Sequence, residues 1–118
     1  MRRSQQKEEI TAWMGEEMRV EGGSIRFEGC LRVDGQLTGG SVAGDTLIVG
    51  ERARISGKLS VQVLTVYGRV EGRVEVVREV HLLPGAVFSG EMILHAPTLV
   101  VDPGATFHGR VRMVAEAS

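Results

Sequence analysis

The sequence predicts an all-β chain wound into one parallel β-helix, a triangular solenoid of about six coils. Three observations carry that expectation. Apolar and polar residues alternate with period two, 16 glycines fall at regular places, and a degenerate unit recurs at intervals of 16 to 19 residues.

The alternation is clearest in LTVYGRVEGRVEV, residues 64–76, where Gly68 and Gly72 interrupt an otherwise strict pattern. Period two means strands with one buried face, each three to five residues long here. The repeat appears once the glycines are aligned. LRVDGQLTG (31–39) and LTVYGRVEG (64–72) are a short form of the unit; LIVGERARISG (47–57), VHLLPGAVFSG (80–90) and LVVDPGATFHG (99–109) are a long form with two more residues at one turn. Units start at 31, 47, 64, 80 and 99, and VEGGSIRFEG (20–29) is part of an earlier one. A second alternating pair follows each terminal glycine: Leu59 and Val61, Val74 and Val76, Met92 and Leu94, Val111 and Met113.

Three short strands and three bends per unit make one coil, with each strand paired to its equivalents above and below at about 4.8 Å. Inward residues then stack as ladders: Leu31, Leu47, Leu64, Val80 and Leu99; Val33, Val49, Val66, Leu82 and Val101; Ile55, Val70, Phe88 and Phe107. Glycine allows the bends, and Pro84-Gly85 and Pro103-Gly104 mark wider turns. Gly44 stands in an apolar slot and is expected to loosen its coil. A β-sandwich would also alternate, but it needs hairpins and bulky aromatics, and only 4% of the residues are aromatic.

A chain of 118 residues with 42% hydrophobic content supports one domain. The boundaries read from the pattern are a flexible N-terminal tail at 1–18, the β-helix at 19–114 and a short C-terminal tail at 115–118. Fourteen Lys and Arg against 15 Asp and Glu leave no global field to attract nucleic acid. Cys30 is the only cysteine, so no internal disulfide forms. The sequence has no signal-peptide pattern and no apolar run of roughly 18 residues, which argues for a cytoplasmic chain.

A solenoid needs covered ends, because its terminal coils expose an apolar cross-section and a rim of unpaired backbone groups. At the C-terminal end Leu99, Val101, Phe107, Val111 and Met113 face inward with too little chain left to cover them. At the N-terminal end the first recognisable coil offers Val20, Ile25 and Phe27 behind a highly charged tail. The expectation is self-association end to end, giving a homopolymer with continuous β-ladders and no need of a nucleotide.

In the tail, Ile10, Trp13 and Met14 fall at helical spacing with Met18 a turn further, which suits a short amphipathic membrane contact. Arg2, Arg3 and Lys7 favour anionic lipid while Glu8, Glu9, Glu16 and Glu17 oppose it, so membrane binding is expected to depend on many copies in a filament.

No catalytic, cofactor or metal constellation emerges. His81, His95 and His108 are the only histidines, and none is placed beside an acid by the repeat alone. The enzyme alternative is a β-helical acyltransferase-like protein with a catalytic histidine. That reading requires a strict hexapeptide repeat, and intervals of 16 to 19 do not supply one. GGSVAGD lacks the Lys-Ser or Lys-Thr of a phosphate-binding loop, and no G-x-S-x-G elbow is present.

FEGCLRVDGQLTG, LIVGERARISGKL, VYGRVEGRV, HLLPGAVFSGEM and LVVDPGATFHGRVRM, in this order and spacing, resemble the bactofilins, bacterial polymer-forming cytoskeletal proteins. The resemblance covers about residues 20–113 and implies that the β-helix is right-handed. It also implies non-enzymatic, nucleotide-independent filaments held at the inner face of the cytoplasmic membrane by the N-terminal tail, scaffolding cell-wall enzymes or other cell-shape machinery. The proline-rich C-terminal tail of some members is missing, so partners of such a tail are not implied.

Overall fold

The structure is a computed structural model that describes residues 12–95 and 98–114. Ten strands make a parallel β-solenoid: β1 (Ala12–Met14), β2 (Arg19–Glu21), β3 (Ser24–Arg26), β4 (Cys30–Val33), β5 (Gln36–Val49), β6 (Arg54–Val66), β7 (Arg69–Leu82), β8 (Val87–Leu94), β9 (Thr98–Val101) and β10 (Thr106–Met113). All pairing is parallel, so every strand meets its equivalent one coil away. Six coils result, beginning at Ala12, Cys30, Thr46, Val63, Glu79 and Thr98. Each coil has a first face, a turn, a second face, a glycine corner and a third face.

The expected ladders are present residue for residue. Leu31, Leu47, Leu64, Val80 and Leu99 are register partners in sequence, as are Val33, Val49, Val66, Leu82 and Val101. On the second face Leu37, Ile55, Val70, Phe88 and Phe107 align, and Phe88 and Phe107 stack with ring centroids 5.0 Å apart. The third face adds Val42, Leu59, Val74, Met92 and Val111. Apart from exposed Val101 and Val111, these side chains form a single apolar core down the axis.

Three features depart from the expectation. The strands are not all short: β5, β6 and β7 run for 14, 13 and 14 residues, because each continues through its corners, with register shifts at Thr38/Gly40 and Val61/Val63. The solenoid also includes Ala12–Met14, inside the segment assigned to a flexible tail, since β1 lies in register on β4. Adding a rung to a ladder satisfies backbone groups that a short helix in water would leave to solvent. Residues 1–11 and 115–118 lie outside the described residues. Lastly, Gly44 does not loosen its coil. A methyl group there would come within 2.5 Å of the Phe27 ring, so the ring of the first coil takes the volume that an apolar side chain takes elsewhere.

The turn between the first and second faces has two lengths. Asp34-Gly35 and Tyr67-Gly68 are the short form. In the long form, backbone N–H of Met18, Ala53, Ala86 and Ala105 donates to the carbonyl three residues earlier, at 2.9–3.1 Å. Pro84-Gly85 and Pro103-Gly104 occupy the centre of two of these turns, with φ of +92° at Gly85 and +96° at Gly104, the type II arrangement. Ala53 and Ala86 close their turns by pointing into the core.

The other corner is a column of Gly40, Gly57, Gly72, Gly90 and Gly109, in register. A β-carbon on Gly57, Gly72, Gly90 or Gly109 would lie 1.9–2.3 Å from the carbonyl oxygen of the glycine one coil below. These four glycines exclude side chains by contact as well as by their positive φ. Gly85, in contrast, has open space around its missing β-carbon. The contrast gives a prediction: Gly85→Ala should cost roughly 1 kcal/mol through backbone strain alone, whereas Gly72→Ala should cost roughly 3 kcal/mol or more because backbone must move. Thermal unfolding followed by circular dichroism would check the order.

Candidate polymer interface at the ends of the rod

The two ends differ from the middle in one measurable way: their inward ladders have a partner on one side only. In the fifth coil Val80, Leu82, Phe88, Met92 and Leu94 are buried, none more than 1% exposed. Their equivalents in the sixth coil are Leu99, Val101, Phe107, Val111 and Met113, the five residues expected at the C-terminal end. Val101 is 44% exposed, Val111 37% and Met113 56%, while Leu99 and Phe107 are half-buried. Half-buried Ala105, packed against the core, extends the patch; the sequence reading missed it. Periodicity could have found Ala105, since Ala53 and Ala86 occupy the same slot. Among the described residues β9 and β10 pair only with β7 and β8, which leaves their outer backbone groups facing the end of the rod.

At the N-terminal end Val20, Ile25 and Phe27 are half-buried and packed on the core from below Leu37 and Val42. β1, β2 and β3 likewise pair on one side only among the described residues. Both ends therefore present apolar side chains inside a rim of unpaired strand edge.

The residues expected at a membrane separate. Met14 is buried, 7% exposed, as the first rung under Val33, which corrects its assignment to a lipid contact. Strand geometry places neighbours on opposite sides, so Trp13 points outward and is 68% exposed. Ile10 lies outside the described residues. The Trp13 indole Nε1 donates to Asp34 Oδ2, and the Arg32 guanidinium donates to both carboxylate oxygens at 3.0 and 3.2 Å. The Arg32 hydrogen bonds, helped by the indole N–H, hold the Asp34 carboxyl below its usual range against the opposing effect of burial. Trp13 and Arg32 are register partners on adjacent coils, a proximity that only the register reveals.

The histidines also need correction. Coil stacking puts His81 Nε2 3.2 Å from Asp102 Oδ2 and His95 Nε2 2.7 Å from Glu75 Oε2, so two of the three do have acidic neighbours. The partners are 21 and 20 residues away in sequence, one coil after His81 and one coil before His95, which reading within a unit does not show. Both pairs sit on the outer wall. Among the described residues no group of three or more His, Cys, Asp or Glu is placed to hold a metal, and no helix is long and apolar enough to cross a membrane.

The sequence profile of the bactofilins, described as polymer-forming cytoskeletal, matches residues 12–112. The chain belongs to the bactofilin family. The match begins at the first residue of β1, the first described strand. Two solved bactofilins share the fold. One is a Thermus thermophilus bactofilin seen as double helical filaments by cryo-electron microscopy, 27% identical, with a TM-score of 0.75 over 87% of this chain and 99% of that one. The other is the cytoskeletal bactofilin BacA, solved by solid-state NMR, 27% identical, with a TM-score of 0.78 over 89% and 98% of the two chains. No curated protein matches the chain. Membership places the rod in a structural, filament-forming family.

A carboxylate held below its usual range stabilises the fold above the ordinary carboxylate pKa and ceases to do so as pH falls through its lowered value. Wild-type protein should therefore lose the Trp13 anchorage only at a pH below the ordinary carboxylate range. An acid titration of tryptophan fluorescence should show that step, and Asp34→Asn should remove it.

Proposed function

We propose that this chain is a cytoskeletal subunit that polymerises end to end without a nucleotide, through Leu99, Val101, Phe107, Val111 and Met113 at one end and Val20, Ile25 and Phe27 at the other. The observation that supports this most directly is the contrast between the fifth and sixth coils: identical ladder positions that are sealed in one are open to water in the next. Burying such a patch against another end gains on the order of 25 cal/mol per Å² of apolar surface. It also pairs the free strand edges, which end-to-end contact alone does for both rims at once. Subunits added this way continue the ladders, so the filament interior repeats the interior of the rod.

In this reading the filaments lie on the inner face of the cytoplasmic membrane, held by the N-terminal tail with Ile10 and the outward Trp13 ring, and serve as a scaffold for cell-wall or cell-shape machinery. Membrane contact by one tail is weak because its Glu residues offset its Arg and Lys, and filament avidity supplies the rest. The outward position of Trp13 and the burial of Met14 reduce the rod's own contribution to one aromatic ring.

Two experiments test these points. Phe107→Arg should leave the circular dichroism of a β-solenoid but remove filaments from negative-stain grids and protein from high-speed pellets; wild-type filaments in that variant would refute the end-to-end contact. Deleting residues 1–11 keeps every described strand, so filaments should persist while co-sedimentation with anionic liposomes falls by about tenfold. Equal pelleting with and without the segment would remove the membrane role.

A further inference from the structure

The near-zero net charge conceals a division across the section of the rod. On the third face the outward positions alternate with the core ladders of Val42 and Val61, and they carry Arg26, Lys58, Arg73, Arg110 and Arg112 against Glu75 and Glu91 alone. Both acids are engaged already. Glu91 lies 3.6 Å from Arg73 and from Arg112, and Glu75 Oε2 lies 2.7 Å from His95 Nε2. Arg26, Lys58 and Arg110 make no ion pair among the described residues.

In a three-sided coil the third face stands opposite the turn between the first and second faces. That turn carries Glu16, Glu17, Asp34, Glu51 and Asp102 against Arg52. Each coil therefore turns a basic side one way and an acidic corner the other, and the stack adds these into a charge dipole perpendicular to the rod axis. The basic side is a sheet wall of six rungs with a shallow middle. Small residues Ser41, Ala43 and Ser60 leave a depression of about 440 Å³ bordered by Lys58, Arg73, Glu75 and Ile93. Two hydroxyls and two cations around such a hollow suit a phosphate group, and the one acid at its border is held by His95. The chain also enters here. β1 starts at the corner shared by the third and first faces, so residues 1–11 join the rod at an edge of the basic wall, with Trp13 one residue past that corner.

We propose that the third face is the side that the rod lays against an anionic lipid surface, with headgroup phosphates received in the depression beside Lys58 and Arg73. The proposal rests on the membrane reading and goes beyond it, since it names the wall that meets the lipid and a contact separate from the tail. A plane fits this wall better than a nucleic-acid duplex does. A flat bilayer meets all five cations of the wall at once and leaves the acidic turn on the far side, whereas a cylinder touches a flat wall along one line. Each exposed cation contributes little by itself, and the contact becomes effective when it is repeated along a polymer.

Co-sedimentation of full-length protein with phosphatidylglycerol vesicles measures the contact, phosphatidylcholine vesicles provide the blank, and high-speed pelleting without vesicles reports filaments. Lys58→Glu with Arg110→Glu should weaken vesicle binding at ~50 mM salt at least about fivefold while the vesicle-free pellet stays unchanged. Wild-type binding should fall steeply by ~500 mM salt, where charges are screened. Arg52→Glu with Arg69→Glu makes the same change in net charge away from the third face and should weaken binding by less than about twofold. Because Cys30 is buried, single labels at Ser60→Cys and Glu51→Cys report orientation. The Ser60→Cys label should shift to the blue and become shielded from a soluble quencher when vesicles are added, and the Glu51→Cys label should do neither. Undiminished binding by the third-face variant, equal losses in the two double variants, or shielding of the Glu51→Cys label instead would overturn the proposal. So would a third-face variant that keeps its vesicle binding and loses retention of a DNA duplex, which would assign the cations to nucleic acid. Wild type that ignores phosphatidylglycerol vesicles would overturn the membrane reading and this one with it, whereas loss of binding on deleting residues 1–11 without loss in the third-face variant would overturn this one alone.

Discussion

Everything in this molecule depends on one spacing, the ~4.8 Å between hydrogen-bonded strands. Once each coil sits that far above the last, like positions meet like positions, and the chain is constrained at every corner to what fits between neighbouring carbonyls. The glycine column states the constraint most severely: its members leave no room for even a methyl group against the backbone below. The same spacing makes Phe107 a stacking partner of Phe88 and Asp34 a receptor for both Arg32 and Trp13. It also makes the ends of the stack chemically unlike its middle.

Those ends are what the proposed end-to-end assembly would cover. Globular domains close their cores; a solenoid does so only in the plane of each coil. Along its axis the core stops where the sequence stops supplying coils, and the last layer is an interior exposed in cross-section. Natural solenoids often cover that layer with polar caps. Here the last described coil instead carries exposed valine and methionine at the positions that are sealed one layer down.

Much of the fold was legible because a period of two and a period of one coil are both written in residue type. The Leu31, Val33 and Ile55 ladders, the two turn forms, and the five residues of the C-terminal end follow directly from alignment of the repeat. What was not legible depends on which coil neighbours which, at positions outside the repeat. Trp13 and Met14 read as a helical stripe because Ile10, Trp13, Met14 and Met18 have that spacing, and only pairing with Arg32 and Val33 decides for a strand. Gly44 looked like a defect because its occupant, Phe27, comes from the coil before. The acidic neighbours of His81 and His95 lie a full turn away, where a pattern read along the chain has nothing to register.

The turn between the first and second faces accommodates two or four residues, and the corner before the fifth coil takes in Val77 and Arg78 where the corner before the fourth has Gln62 alone, yet the ladders beyond each resume in step. Variation in length is thus confined to the outside of the winding. Peptide grafts at Glu51-Arg52 or Pro84-Gly85 would be carried outward without disturbing the core, and in a polymer they would recur at a fixed pitch set by the subunit height. The scaffold would then serve as a ruler for whatever is displayed on it.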